Sequence, residues 1–459
     1  MNRETLKSII LVILIAFSLV LTVALWSYQP ASETLEEGGS TADNKLEGLG
    51  TEEDLSDLLI PELVVYHEND GHFTFPEPNG KTSFNDQFKK WSLSNFDTTP
   101  GEIDLNTIEK GVEVIFPTSL PLKVIKDLFT VNNNVILDNF NKNFERVFLV
   151  QNEERSSSTY ELWFVQAGSQ GDEVTLKASV NASAGDRALK AFEDRNDLTE
   201  IVRLADEMPA VDAANIGANH IYLPKDDIFV PQVVLQTTAV PVTPLQNDLF
   251  PSPSSTIFYE AGEGIKRTKT NDRRLDQKKD DRLMEFLFLT TKSINESGMT
   301  EYDLLTKSVQ DINSHLGWTN EFRIESLSTG LDELKYRMYF NEFPVMEDEA
   351  TQGFAQISMT YEDSDIQSYD RPLIKFVRTP YETDSMAELQ SVDDVITQIQ
   401  NSNTYDFNSI KNIGIRYTLE EQTNNLAYNL IPEWYIETES ESWAPLFKEE
   451  PMPNGEAAP

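Results

Sequence analysis

The chain has 459 residues and no cysteine. That absence excludes disulfide staples, a thiol nucleophile and a lipoprotein-type lipid anchor. Basic side chains are few: 37 lysines and arginines stand against 77 aspartates and glutamates, for a net charge of −40. Such a field argues against nucleic acid, anionic lipid or an anionic wall polymer as a direct ligand. Histidine is scarcer still, with four residues. His67 and His72 lie in "HENDGH". A zinc-protease helix needs its two imidazoles at i and i+4 to share one face. Here the interval is one residue too long, and Asn-Asp-Gly marks a turn, so a polar hairpin is expected. His220 and His315 have no ligand partners nearby in sequence and read as surface or packing residues.

Catalytic patterns are equally sparse. There is no G-x-S-x-G elbow, and "AGEGIKR" lacks both the spacing and the Lys-Ser/Thr ending of a P-loop. Acidic pairs are too common here to nominate a glycosidase dyad. "YEDSDIQSYD" (361–370) offers Asp363 and Asp365 but lacks the glycine and terminal glutamate of a calcium loop, so a solvated turn is expected. No enzyme activity, metal or cofactor is expected.

What the sequence does have is "KSIILVILIAFSLVLTVALWSYQP", Lys7 to Pro30. Ile9–Leu25 is uncharged, and Trp26 and Tyr28 extend it into an aromatic edge. That length suits a helix crossing the hydrocarbon core, whereas a signal-peptide apolar region is shorter and ends in small residues. We expect a retained transmembrane helix over 9–28. Arg3 and Lys7 precede it, whereas Lys45 is the sole basic residue among the acids of 29–60. The positive-inside rule then places residues 1–8 in the cytoplasm and the bulk outside, a single-pass membrane protein. Helices in lipid associate through close packing and hydroxyl hydrogen bonds. Ser18 and Thr22 share one face, extended by Leu11, Ile15 and Leu25, and this stripe is the expected partner-binding surface.

The remainder reads as α+β, with antiparallel sheets and packed helices in several domains. Residues 29–60 read as an acidic stalk, 61–200 as a first α+β domain, 201–297 as a strand-rich middle domain, and 298–440 as a C-terminal domain with two helix-plus-strands units. Residues 441–459 read as a disordered tail. In "TEYDLLTKSVQDINSHLG", Leu305, Val309, Ile312 and Leu316 share a face, Thr300 is the expected N-cap and Gly317 the stop. In "SMAELQSVDDVITQIQ", Met386, Leu389, Val392, Ile396 and Ile399 share a face, with Ser385 and Glu388 as an expected capping box. One local anomaly is "KRTKTNDRRLDQKKDDR" (266–282), basic within an acidic chain. It reads as a solvated hairpin turning near Asn271-Asp272, the alternative being a docking surface for an acidic partner.

The opening "NRETLKSIILVILIAFSLVLTVALWSYQP" resembles the start of the YycH family, with its Asn-Arg-Glu, Lys-Ser-Ile-Ile-Leu, single helix and Trp-x-Tyr-Gln-Pro exit. "IYLP" (221–224), "LFPSPSS" (249–255) and "NLIPEWYI" (429–436) agree in layout, whereas "KTND" (269–272) departs from the family's Tyr-Thr-Asp-Gly-like turn. The resemblance implies an anchored accessory regulator of the WalK (YycG) sensor histidine kinase, which controls cell-wall metabolism in Gram-positive bacteria. It also implies contact through membrane helices with that kinase and with a YycI-like protein resembling the C-terminal domain. The alternatives are a surface ligand-binding or scaffold module and, less favoured, an anchored wall hydrolase.

Overall fold

Alternating β-branched and aromatic residues make strands, and here they make two large sheets. The structure is a computed structural model. It describes residues 44–69, 71–76, 80–99, 108, 110–131, 137, 141–152, 159–166, 172–207, 220–289, 299–362, 364–378, 385–401, 409–423, 427–439 and 443–447. The expected membrane helix lies outside these residues.

The first sheet contains β1 (Leu63–Glu68), β2 (Gly71–Thr74), β3 (Ser92–Asp97), β4 (Lys110–Pro121) and β5 (Thr130–Val131). It continues with β6 (Asn143–Asn152), β7 (Thr159–Gln166), β8 (Glu173–Val180), β9 (Thr199–Arg203) and β10 (Tyr222–Pro224). Their order is β10-β9-β2-β1-β4-β6-β7-β8-β3-β5, antiparallel except for the β3–β5 pair. The helices of this half are α1 (Leu55–Leu58), α2 (Gly80–Phe88), α3 (Ile125–Leu128), α4 (Ala182–Glu193) and α5 (Leu204–Glu207). Period-2 alternation sorts the side chains. Val64, Tyr66, Val112, Val114, Val147 and Leu149 face the large core with Phe84, Phe88 and Phe192 of the helices. The opposite face holds a smaller cluster of Val65, Ile115, Ile201 and Tyr222.

The second sheet opens with β11 (Phe229–Ala239), β12 (Ile257–Glu260), β13 (Lys266–Lys269), β14 (Arg273–Lys278) and β15 (Leu283–Phe288). Then come β16 (Phe322–Ser328), β17 (Glu333–Phe340), β18 (Phe343–Glu347), β19 (Gln356–Glu362) and β20 (Asp365–Pro372). It ends with β21 (Ile374–Arg378), β22 (Ser385–Glu388), β23 (Ile410–Glu421), β24 (Ala427–Thr438) and β25 (Ala444–Pro445). The main path runs β12-β13-β14-β15-β20-β19-β17-β18-β23-β24-β11-β21, with β16, β22 and β25 attached to β17, β11 and β24. Its helices are α6 (Thr243–Leu249), α7 (Glu301–Ser314) and α8 (Val392–Asn401). One apolar cluster runs through both halves, from Val64 to Trp434.

Several expectations shift. Among the described residues the strands of 201–297 form no sheet of their own: β10 joins the first sheet, and β15 pairs with β20 of the second across the boundary drawn near 298. Leu283, Met284 and Phe286 are buried, and a strand so apolar needs a neighbour on each side. Residues 44–60 of the expected stalk are packed. Leu46, Leu58 and Leu59 are buried, the Leu46 amide donates to the His315 carbonyl at 2.9 Å, and Thr51 bridges to Trp318. Acidic composition masked three leucines with a core to enter. Likewise β25 and the buried Leu446 bring residues 443–447 of the expected tail against β24.

α7 begins at Thr300, whose side chain accepts from the Asp303 amide, and buries Leu305, Val309 and Ile312. Leu316, not Gly317, takes the left-handed conformation beyond its end (φ 56°). Gly317 is needed for space, because a Cβ there would lie 2.6 Å from Ile312 Cγ2 and 2.9 Å from an Arg371 nitrogen. The other expected helix starts later than its pattern suggests. Ser385–Glu388 is a strand captured by β11, leaving Met386 exposed, and the helix is capped by Ser391 and Asp394.

Candidate functional site

The stripe of Leu11, Ile15, Ser18, Thr22 and Leu25 lies outside the described residues. Among the described residues no helix is long and apolar enough to cross a membrane. Within them, polar groups converge on the first sheet, on the face opposite α2 and α4.

The β1–β2 hairpin places Glu68 opposite Gly71, with Asn69 at φ 53° in the two-residue turn. That register sets His67 directly opposite His72, so the interval that rules out a zinc helix brings the two rings together. Their Nδ1 atoms are 2.9 Å apart. Nitrogens sharing one tetrahedral zinc would sit about 3.3 Å apart, so this is hydrogen-bond geometry. His67 Nε2 lies 3.0 Å from Glu113 Oε2. Glu113 comes from β4 with no solvent exposure, and accepts Arg146 Nε of β6 at 2.6 Å and the Tyr222 hydroxyl of β10 at 2.8 Å. Arg146 also donates to Asp172 at 2.6 Å.

The electrostatics follow from this enclosure. Burial pushes the Glu113 carboxyl up, but Arg146 and then His67 outweigh it and hold Glu113 well below the carboxylate range. Burial, then the neighbouring His67 and Arg203, lower His72 to about 4. His220, at the entrance to β10, is lowered to about 4 by burial and by Arg146. Three of the four histidines thus border one buried anion. His315 is buried in the other half, 3.0 Å from the Tyr369 hydroxyl and 3.2 Å from Asp248. At the centre of the first-sheet cluster His67 and Glu113 are both buried, and His72 is half-buried. The cluster can hold strands and exchange protons.

The basic stretch forms the β13–β14 hairpin, with Lys269 opposite Arg274 and the turn at 270–273. Its cations are engaged within the fold. Arg267 and Arg274 reach Asp276, Lys266 reaches Asp281, Lys278 reaches Glu285 and Arg282 reaches Glu421. Lys279 donates to the Ala350 carbonyl at 2.9 Å, Arg273 to the Leu249 carbonyl, and Lys269 lies 5.3 Å over the Tyr259 ring. The hairpin and its turn are as expected, but its charges pair within the fold, Arg267 and Arg274 on the buried Asp276, rather than facing water. Outside it, β12 carries Ile257 and Phe258, each 60% exposed, at the end of the sheet path. An open cleft of about 410 Å³ lies beside the start of α7, lined by Lys123, Lys142, Thr300 and Tyr302 among others.

Comparison with known proteins bears on the whole chain. A model of the YycH protein N-terminal domain matches residues 4–196, and one of the YycH protein C-terminal domain matches residues 218–450. The chain belongs to the YycH family. It is 21% identical over 446 residues to the two-component system WalR/WalK regulatory protein YycH of Bacillus subtilis (strain 168), covering 93% of this chain and 92% of that protein. The crystal structure of YycH from Bacillus subtilis shares the fold, with a TM-score of 0.67 at 16% identity over 87% of this chain and 98% of that one. Tyr222 and His220 fall in the stretch matched by the YycH C-terminal domain, yet Tyr222 completes a cluster built on strands matched by the N-terminal one.

Sequence reasoning placed His67 and His72 in their hairpin but missed Glu113, Arg146 and Tyr222. One signal was available: Glu113 interrupts the apolar run "VEVIF", and a lone acid there calls for a buried partner.

Proposed function

We propose that this chain is a membrane-anchored accessory regulator of a two-component sensor histidine kinase that controls cell-wall metabolism. Residues 9–28 hold it in the cell membrane as a single pass, with the N-terminus cytoplasmic and the two sheets outside. The helix contacts the kinase, and a YycI-like accessory protein, through the stripe of Leu11, Ile15, Ser18, Thr22 and Leu25. The observation that carries the reading is the extent of the family match, which takes in both YycH domains and starts before the apolar run. The Bacillus subtilis relative, a two-component system WalR/WalK regulatory protein, supports it. A regulator working through its helix needs side-chain specificity there, whereas a protein that is only tethered needs hydrophobicity alone.

The test is co-purification with the kinase from membranes. Ser18→Leu with Thr22→Leu should abolish association while leaving insertion and expression intact, and Ala16→Leu on the opposite face should leave association unchanged. Equal behaviour of the two sets would reject the stripe. Failure of the unsubstituted chain to associate with any sensor kinase would reject the regulator reading itself.

A further inference from the structure

The His67–His72 pair has a limited capacity for protons. Glu113 is held as an anion and accepts from Arg146, Tyr222 and His67, so His67 Nε2 carries its hydrogen as the donor in that bond. The Nδ1–Nδ1 line, 2.9 Å long, then has room for one hydrogen. Either His72 donates to a bare His67 nitrogen, or His67 donates to a bare His72 nitrogen. The line tolerates one imidazolium, because the neutral ring's bare nitrogen accepts from it. A second charging proton would leave every ring nitrogen protonated, aim two N–H groups at each other and set two imidazolium charges 4.9 Å apart between ring centroids. Hydrogen bond and charge would both turn repulsive.

We propose that the His67–His72 pair is an acid-opened latch, which fastens β2 to β1 while no more than one ring is charged and frees the β2–β9–β10 margin of the first sheet when both are. The groups facing His72 come from each element packed on it: His67 of β1, Glu113 of β4, Arg203 of β9, Asp206 of α5 and Tyr222 of β10. The two acids favour the second proton and Arg203 opposes it. Asp206 is partly committed, bonded to Arg203 at 3.0 Å and 4.0 Å from His72 Nε2. Burial and the first imidazole dominate the balance.

The margin that the latch holds is narrow and consequential. β2 lies between β1 and β9, and β9 between β2 and the edge strand β10. β10 ends at Pro224 and β11 of the second sheet begins at Phe229. Loosening the margin therefore loosens the passage from one sheet to the other, and, on the topology proposed above, the latch makes that passage responsive to acid outside the cell.

The direction follows from proton binding. His72 binds a proton less readily in the folded chain, about 4 against 6.5, so acid favours the opened form. The effect starts as pH falls below 6.5 and is complete below about 4. Hydrogen exchange of the full-length chain in detergent micelles reads it. For that shift, opening of the β1–β2 amides should rise roughly thirtyfold between about pH 7.5 and pH 5. His72→Asn, which still offers a hydrogen bond but cannot titrate, should remove most of that rise and leave protection at pH 7.5 unchanged. His220, also lowered to about 4 at this margin, adds its own share to the acid response, so His220→Asn should reduce the rise but keep the part that His72→Asn removes. An unaltered response in His72→Asn, or a His220→Asn chain in which adding His72→Asn lowers it no further, would overturn the latch. If His72→Asn does not fold at neutral pH, ring signals of 13C-histidine in the unsubstituted chain decide. The second proton should arrive only as β1–β2 protection is lost, and two protonated rings in an intact hairpin would overturn the proposal.

Discussion

Glu113 and Arg146 meet diagonally across adjacent strands of the first sheet, carboxylate to guanidinium at 2.6 Å, each with at most 4% of its side chain exposed. The pair is costly to break and less costly to replace, because removing one partner leaves the other charged and dry. Glu113→Gln should lower stability by about 3–5 kcal/mol. Adding Arg146→Met should recover part of that loss, so the double variant falls short of the sum of the singles. Urea denaturation midpoints of the three variants measure this.

Asp370 of β20 lies opposite Glu285 of β15, and burial followed by that neighbouring charge raises its carboxyl to about 7. The folded chain therefore binds this proton more tightly than the unfolded chain, and stability declines as pH climbs from about 4 to about 7. Asp370→Asn should gain nothing near pH 4 and about 1–2 kcal/mol at pH 8, allowing for solvent screening at a half-buried site. Tm measured for both proteins at the two pH values gives the comparison.

Gly185 in α4 sits beneath the Tyr160 ring, where a Cβ would lie 2.1 Å from Cδ2. Tyr160 is buried and its hydroxyl donates to Asp186 at 2.6 Å, so the ring has little freedom to move aside. Gly185→Ala should cost about 1–3 kcal/mol through overpacking, although alanine is the better helix former by about 1 kcal/mol. Gly330→Ala, where a Cβ meets nothing within 4 Å, is the neutral control in the same thermal melt.

Ser391 caps α8, exchanging hydrogen bonds with Asp394. Ser391→Ala should cost about 0.5–2 kcal/mol. Ser385→Ala should cost little, since that residue sits exposed on β22 and bonds Gln232 at 3.1 Å. Chemical denaturation of the two variants separates the cap that is present from the one the pattern suggests.

Local pattern accounts for much of this fold. The alternation of Ala355, Ile357, Met359 and Tyr361 places all four in the core, and Thr300 caps the helix as its position implies. What escaped was decided by partners distant in sequence. Met386 and Leu389 match a helical face, but β11 offers an edge to Ser385–Glu388 and backbone pairing wins over periodicity. Leu46 and Leu58 look like leucines in an acidic linker until α7 and β16 provide a surface for them. The first-sheet cluster is the extreme case. Glu113 meets His67, Arg146 and Tyr222 across separations of 46, 33 and 109 positions, which no spacing rule anticipates. The hairpin alone was legible, because a two-residue turn determines which residues face each other.

Residues 44–62 tie the two halves before the first strand begins. The Leu46 amide holds the His315 carbonyl, Lys375 Nζ holds the Leu49 carbonyl at 2.7 Å, and Asn313 exchanges two hydrogen bonds with Glu53. Glu62 then donates its amide to Ile115 of the first sheet and receives Arg416 of the second at 2.9 Å. A pull arriving along the chain at residue 44 is thus borne first by the C-terminal half and only afterwards by the strand that leads into the N-terminal one. The lead-in segment works as a harness rather than a rope: mechanical load entering from the N-terminal side is shared between both halves before either sheet begins to unzip.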